Sequence, residues 1–504
     1  MKYSDFTKAL FCYSILIIFC TVIFGLVYLD LKNPVQIKRY ITNNSPSGNE
    51  RENIQESLIL IGLFFLFASF LCACFIGLKT GNKWYLELKT ISFCFLPMLI
   101  PGFFLLRHFV GNKNLNVNMQ DTFETFFLLI FTSLSFSLLC CITFKPQKKF
   151  NSKLWFYLLI ISTLLFLGWY SYICFKRHWA FQSHVLDLGI FTQLAYNGSI
   201  GKFFEFTIKP EYTNFLGYHF SPILIILSVA YLIFPSIETV LAVQTLVLGL
   251  AAIPLYLLSY RILKSKIIAF GICFAYLAHP FVAQTVMFDF HEVSIEPFII
   301  FTMFYFLSKR ANFLYWSFFC LALLCKEDVC LFLIPVGLFL IFNEKEFKLG
   351  LFTILFSVIY AVVVFKLLMP AFSGVSGYSF NWVFAYLGNS PFEVLKSILF
   401  NPLFIIKKCM NWLNLRTIFF LFAPLMFAPL WSRWGLILLI TPLFEVWLHE
   451  SAIAAQGSYH HILVVVPFTF VAGIIGFKNF RLYYINKKTG KLTKPGLALK
   501  AFIE

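Results

Sequence analysis

Charged side chains are scarce in this chain: Asp, Glu, Lys and Arg make up 12% of its 504 residues, against 60% hydrophobic residues. A soluble globular domain carries about twice that share of charge, so an aqueous fold is excluded. No sequence repeat, long polar linker or soluble domain is visible. There is no Gly-rich phosphate loop, no cysteine nucleophile motif and no serine nucleophile elbow, which removes the usual support for nucleotide hydrolysis or serine hydrolase chemistry. Cysteine is present thirteen times, almost always within an apolar run, as at Cys12, Cys72, Cys74, Cys140, Cys141, Cys273 and Cys320. None has metal-site spacing, so the cysteines read as small buried hydrophobes.

What the chain does have is length of apolar sequence, with a mean hydropathy of +0.81. Runs at 10–29, 57–78 and 239–260 each supply roughly the 20 residues needed to cross about 30 Å of hydrocarbon. Lipid offers free backbone groups no partner, so the crossings must be helical. The first run lacks a small-residue cleavage site and reads as a retained anchor. The net charge of +17 comes from Lys and Arg scattered through short connections and the tail. Positive-inside sidedness accounts for that pattern, and nucleic acid is not expected as a partner.

Placing the basic connections at 145–149, 261–266, 308–310 and 432–434 and the tail at 478–500 in the cytoplasm fixes the topology. It predicts an all-α integral membrane protein of the cytoplasmic (inner) membrane, multi-pass, with about fourteen transmembrane helices and both termini cytoplasmic. Residues 1–153 form an accessory module of about four spans, 154–477 a transmembrane core, and 478–504 a basic cytoplasmic tail. The run 221–235 has Pro at both ends and reads as re-entrant or interfacial. The segment 393–416 reads as an amphipathic helix along the outer interface.

With this topology the polar clusters fall on one face. Asp187, His219, Asp289, His291, Glu292, Lys326, Glu327, Asp328, Glu445, His449 and His460 all come from external loops. Lys326, Glu327 and Asp328 interrupt an apolar stretch from Phe313 to Phe342. A charge near the bilayer centre costs about 2.5 to 3.5 kcal/mol, so three in a row imply a tight external turn or a hydrated cavity. The bland reading is a turn whose charges rest in the headgroups. Four residues beyond His291 stands Ile295, which rules out a zincin helix; a zinc site from His219, His291 and Glu292 competes with ordinary hydrogen-bonded histidines.

Residues from about 154 to 477 resemble a prokaryotic polytopic membrane family of unknown function grouped with the GT-C glycosyltransferases. The resemblance rests on DLGIFTQ (187–193), GYHFSPIL (217–224), the P-S-x-x-T-x-L-x-x-Q run from Pro235 to Gln244, PLYLLSYRIL (254–263), AYLAHP (275–280), DFHE (289–292) and KEDV (326–329). It implies a GT-C-like bundle with a large external first core loop and interfacial helices. It also implies transfer of a sugar from a polyprenyl-phosphate donor to an unknown acceptor at the outer face, among membrane lipids. Asp187 takes the place of the first-loop acid, although Leu188 and Gly189 follow it where many such enzymes carry an acidic pair. No cofactor is certain, and a divalent cation is left open. On this reading Asp187 is the base and Asp289 its alternative or partner, while Lys326 and His219 hold the phosphate, and His291, Glu292, Glu327, Asp328 and His460 line the substrate site. Two other classes fit the same residues: a transporter or lipid flippase, whose groups would be reached from both sides of the membrane, and a non-catalytic scaffold, in which they serve stability alone.

Overall fold

The computed structural model describes residues 154–212, 214–374, 381–388, 391–450, 454 and 460–488. The chain divides into two units, Met1–Asn151 and Ser152–Glu504. The four spans expected in the first unit and most of the basic tail lie outside the described residues. Within the second unit the structure is helical throughout, with no strand among the described residues.

Among the described residues four helices are long and apolar enough to cross a membrane. They are α1 (Leu154–Trp179), α4 (Ile237–Leu263), α10 (Phe347–Ser373) and the span His460–Phe480, a 3₁₀ turn His460–Val465 leading into α16 (Val466–Lys488). A fifth forms if α5 (Lys266–Leu277) and α6 (Pro280–Met287) count as one span bent by 41°. Pro280 stands at the start of α6, where its missing N–H costs nothing, and the His279 side chain accepts from the N–H of Phe281.

Between these lie α2 (Val185–Ser199), α3 (Ile225–Ile233), α7 (Glu296–Ser308), α8 (Asn312–Leu323) and α9 (Val329–Phe339), which runs on as a π-helical turn Leu340–Glu344. The short α3 packs on α2, where Gly198 meets Ser228. The end of α8 lies beside the turn before α3, with the Ile223 N–H donating to the Leu324 carbonyl at 3.1 Å. The expected re-entrant segment is therefore a short helix confined to one end of the bundle.

Cross-links fix the direction of each helix. At one end Trp155 of α1 lies 5.6 Å from Phe270 of α5, and Phe342 stacks at 5.0 Å on Trp434 of α14 (Arg433–Ile437). At the same end the Asn479 amide of α16 donates to the Trp431 carbonyl at 3.0 Å. At the other end Cys174 of α1 donates to the Val286 carbonyl of α6 at 3.0 Å, and Met369 of α10 packs with Leu216 and Phe220. Here too Thr441 of α15 (Ile440–Trp447) donates to the Leu331 carbonyl at 3.0 Å. The beginnings of α7, α9 and α16 therefore share one end with the start of α4, and their C-terminal ends gather at the opposite end.

Burial separates axle from rim. In α16 and its lead-in 89% of the apolar window is buried, against 28% in α1 and 17% in α10. Leu164, Leu165 and Val362 on the outer helices stay more than half exposed, a surface suited to lipid. The α9–α10 hairpin closes backbone to backbone: a Cβ on Gly337 would stand 2.7 Å from the Gly350 carbonyl, and one on Gly350 would stand 2.5 Å from that of Gly337.

The single amphipathic helix expected over 393–416 is replaced by three pieces, α11 (Pro391–Phe400), α12 (Pro402–Cys409) and α13 (Trp412–Phe422). Pro402 cannot continue the preceding helix. Asn411 starts the next one by accepting from the Asn414 N–H at 3.0 Å. Ile405 and Cys409 are buried against Leu387 and Leu448, so the segment is anchored on the protein as well as bounded by exposed Leu403 and Ile406.

Candidate functional site

The DFHE loop is held by one side chain from another helix. Gln244, fully buried on α4, directs its amide nitrogen at the carbonyls of Thr285 (2.9 Å), Phe288 and Asp289 (3.3 Å each), and its oxygen accepts from the His291 N–H at 2.9 Å. The amide thereby meets carbonyls at and just beyond the end of α6, where helical partners run out. The His291 ring donates from Nδ1 to the Asp289 carbonyl at 3.0 Å. A carbonyl only accepts, so Nδ1 carries the proton and Nε2 holds the lone pair. Burial keeps this imidazole neutral, with its pKa lowered to about 3.

Asp289 in turn anchors α2. Its carboxylate accepts from the His184 backbone N–H, and the same oxygen lies 3.3 Å from His184 Nδ1. His184 is the N-cap of α2, so Asp289 caps that helix from a distant loop. Asp187 sits in the first turn of the helix held this way and is partly exposed. Burial and the neighbouring Asp289 charge raise its carboxyl above the ordinary aspartate value.

The KED turn lies at the same end of the bundle. Glu327 is fully buried and accepts from His219 Nδ1 at 2.8 Å and from the Phe220 N–H at 2.9 Å. Burial alone would raise its carboxyl, but His219 and Lys326 hold it down at about 2. The Lys326 ammonium pairs with Asp328 at 2.9 Å and lies 3.9 Å from Glu292.

Beside this turn runs a column of imidazoles. His291 stacks on His460 with ring centres 3.4 Å apart, His460 lies 4.2 Å from His461, and His461 lies 5.6 Å from His449. One Glu292 oxygen, both Glu296 oxygens and His460 Nδ1 are buried without a hydrogen-bond partner among the described residues.

The structure thus brings the sequence-derived residues to one end of the bundle in two tiers. Asp187, His219, Lys326, Asp328 and His460 are partly exposed, whereas Asp289, His291, Glu292 and Glu327 are buried behind them. Members of the buried tier contact the partly exposed ones: Glu327 bonds His219, Glu292 lies by Lys326, and His291 stacks on His460. Sequence reasoning gave His184 no part in the site, and took Gln244 only as the end of a motif. Gln244 was visible as a polar residue inside an apolar helix, a position where an amide needs a partner. No group of three or more His, Cys, Asp or Glu residues has metal-holding geometry among the described residues. His219, His291 and Glu292 do not form such a group as placed.

A model of a family of predicted membrane proteins, DUF2079, matches residues 177–494, a stretch that contains every residue of both tiers. The chain belongs to this family. No curated protein and no solved structure matches it. For a DUF2079 protein the site just described is therefore the direct source of functional inference, and its two tiers are the feature to be explained.

Proposed function

We propose that this DUF2079 protein transfers a sugar from a polyprenyl-phosphate donor to an acceptor at the outer face of the cytoplasmic membrane, within a GT-C-like bundle of about fourteen crossings. The observation that carries the reading is Asp187: a partly exposed carboxylate, raised in basicity by burial, at the start of a helix anchored by Asp289 and at the same end of the bundle as an ammonium and imidazoles. A base of this kind takes the proton from the acceptor hydroxyl as its oxygen bonds to the anomeric carbon and the bond from that carbon to the phosphate oxygen breaks. The departing phosphate needs donors. Lys326 has three N–H groups and places two toward Asp328 and Glu292, leaving one for the phosphate, and His460 adds a partly exposed imidazole. The starts of α2, α7 and α9 lie at this end, and the positive ends of their helix dipoles favour anions. A polyprenyl tail can stay in lipid while its head reaches a site at the bundle's end.

The test is transfer of labelled sugar from a polyprenyl-phosphate donor by purified protein in lipid. Asp187→Asn lowers the rate by about 10² to 10⁴ while the melting temperature holds. Wild-type transfer by a folded Asp187→Asn protein would remove Asp187 from the role.

A further inference from the structure

At the end of the bundle away from Asp187, a cavity of about 310 Å³ lies between α4, α7, α9 and α16. Gln244 marks the site end of α4 and Arg261 the cavity end, 17 residues on, or about 25 Å along the helix. Leu258, Phe304 and Ile475 belong to an apolar wall; Arg261, Lys264 and Lys478 belong to a cationic rim.

These cations have more capacity than their surroundings use. Arg261 commits Nε to the Ser308 carbonyl at 2.8 Å, closing the end of α7. Among the described residues no carboxylate pairs with Arg261, Lys264 or Lys478, while Arg310 and Glu346 pair with each other nearby at 3.1 Å. The one acid of the lining, Glu344, accepts from the Asn343 amide at 2.7 Å. Asn343 and Glu344 belong to the π-helical turn that ends α9, a widened geometry frequent at functional sites. Helix C-termini attract cations for their own carbonyls, and positive-inside sidedness places cations in loops, but neither requires an apolar cavity beneath them.

We propose that this cavity binds the headgroup and first carbons of an amphiphile whose phosphate headgroup carries a net negative charge. The rim selects the anion, since a guanidinium fork with free terminal nitrogens matches phosphate oxygens and two ammonium groups add point charge. The apolar wall selects an amphiphile over a free anion, and about 310 Å³ suits a headgroup rather than a whole lipid. The site is separate from the transferase site and does not depend on that reading.

The experiment is native mass spectrometry of the full chain in neutral detergent with phosphatidylglycerol or phosphatidylcholine added. The expected result is about tenfold preferential retention of phosphatidylglycerol. The preference falls to parity in Lys264→Gln/Lys478→Gln, both exposed positions, and in that pair combined with Arg261→Gln. It survives in Lys345→Gln/Lys348→Gln, which changes charge at the same end outside the cavity. Thermal melting confirms that each variant is folded. Equal retention of both lipids, or a preference unchanged in the folded Lys264→Gln/Lys478→Gln protein, overturns the proposal; so does displacement of phosphatidylglycerol by equimolar inorganic phosphate, which would mark a free-anion site.

Discussion

Asp289 and Asp187 show how one residue's environment sets the task of another. Asp289 is buried and committed to His184, so its effect on chemistry runs through the start of α2. Asp289→Asn keeps the shape, weakens the charge-assisted cap by about 1 kcal/mol, and removes a charge that raises the Asp187 carboxyl. The acid limb of the transfer pH profile therefore moves to lower pH in the variant, a shift that a purely structural role would not produce. Glu327 gives the opposite sign. Its folded value of about 2 lies below its ordinary 4.5, so its contribution is complete above 4.5 and fades as pH falls toward 2. Glu327→Gln breaks a buried pair and costs about 3 to 5 kcal/mol near neutrality. The gap from wild type in detergent melting curves narrows on acidification.

At the scale of elements, the turns carrying chemistry were legible in the sequence because each placed charge where apolar sequence forbids it. Lys326, Glu327 and Asp328 do form the turn between α8 and α9, and the Pro-bounded 221–235 run does hold a short helix. What was not legible is how distant pieces lock together. Nothing local in VLAVQTL says that Gln244 holds a loop 45 residues away. Nor does the heptapeptide HVLDLGI show that its cap comes from Asp289. The break of 393–416 was signalled by Pro402 and Asn411 but outweighed by the amphipathic pattern. Gln244→Leu leaves several buried carbonyls and one N–H unmatched and should cost about 1 to 3 kcal/mol, read as a lower melting temperature with the fold retained. Gly350→Val pushes α9 from α10 and should cost about as much, because the α9 backbone cannot yield.

Across the whole molecule, the two ends of the bundle differ in chemistry: acids and imidazoles at one, Arg261, Lys264 and Lys478 at the other. In a cysteine-free background, Leu186→Cys and Lys345→Cys, both at exposed positions, should react with an impermeant thiol reagent from opposite sides of the membrane. Labelling of both from one side would refute this sidedness. The central burial of the span His460–Phe480 sets an order of events during synthesis. The helices around it leave the ribosome first, with the groove meant for it still vacant, and the nascent chain must keep that groove from misassembly until this span slots in. A stop codon after residue 459 should leave a protein that inserts but is cleared by membrane quality-control proteases, and supplying 460–488 as a separate peptide should rescue its abundance.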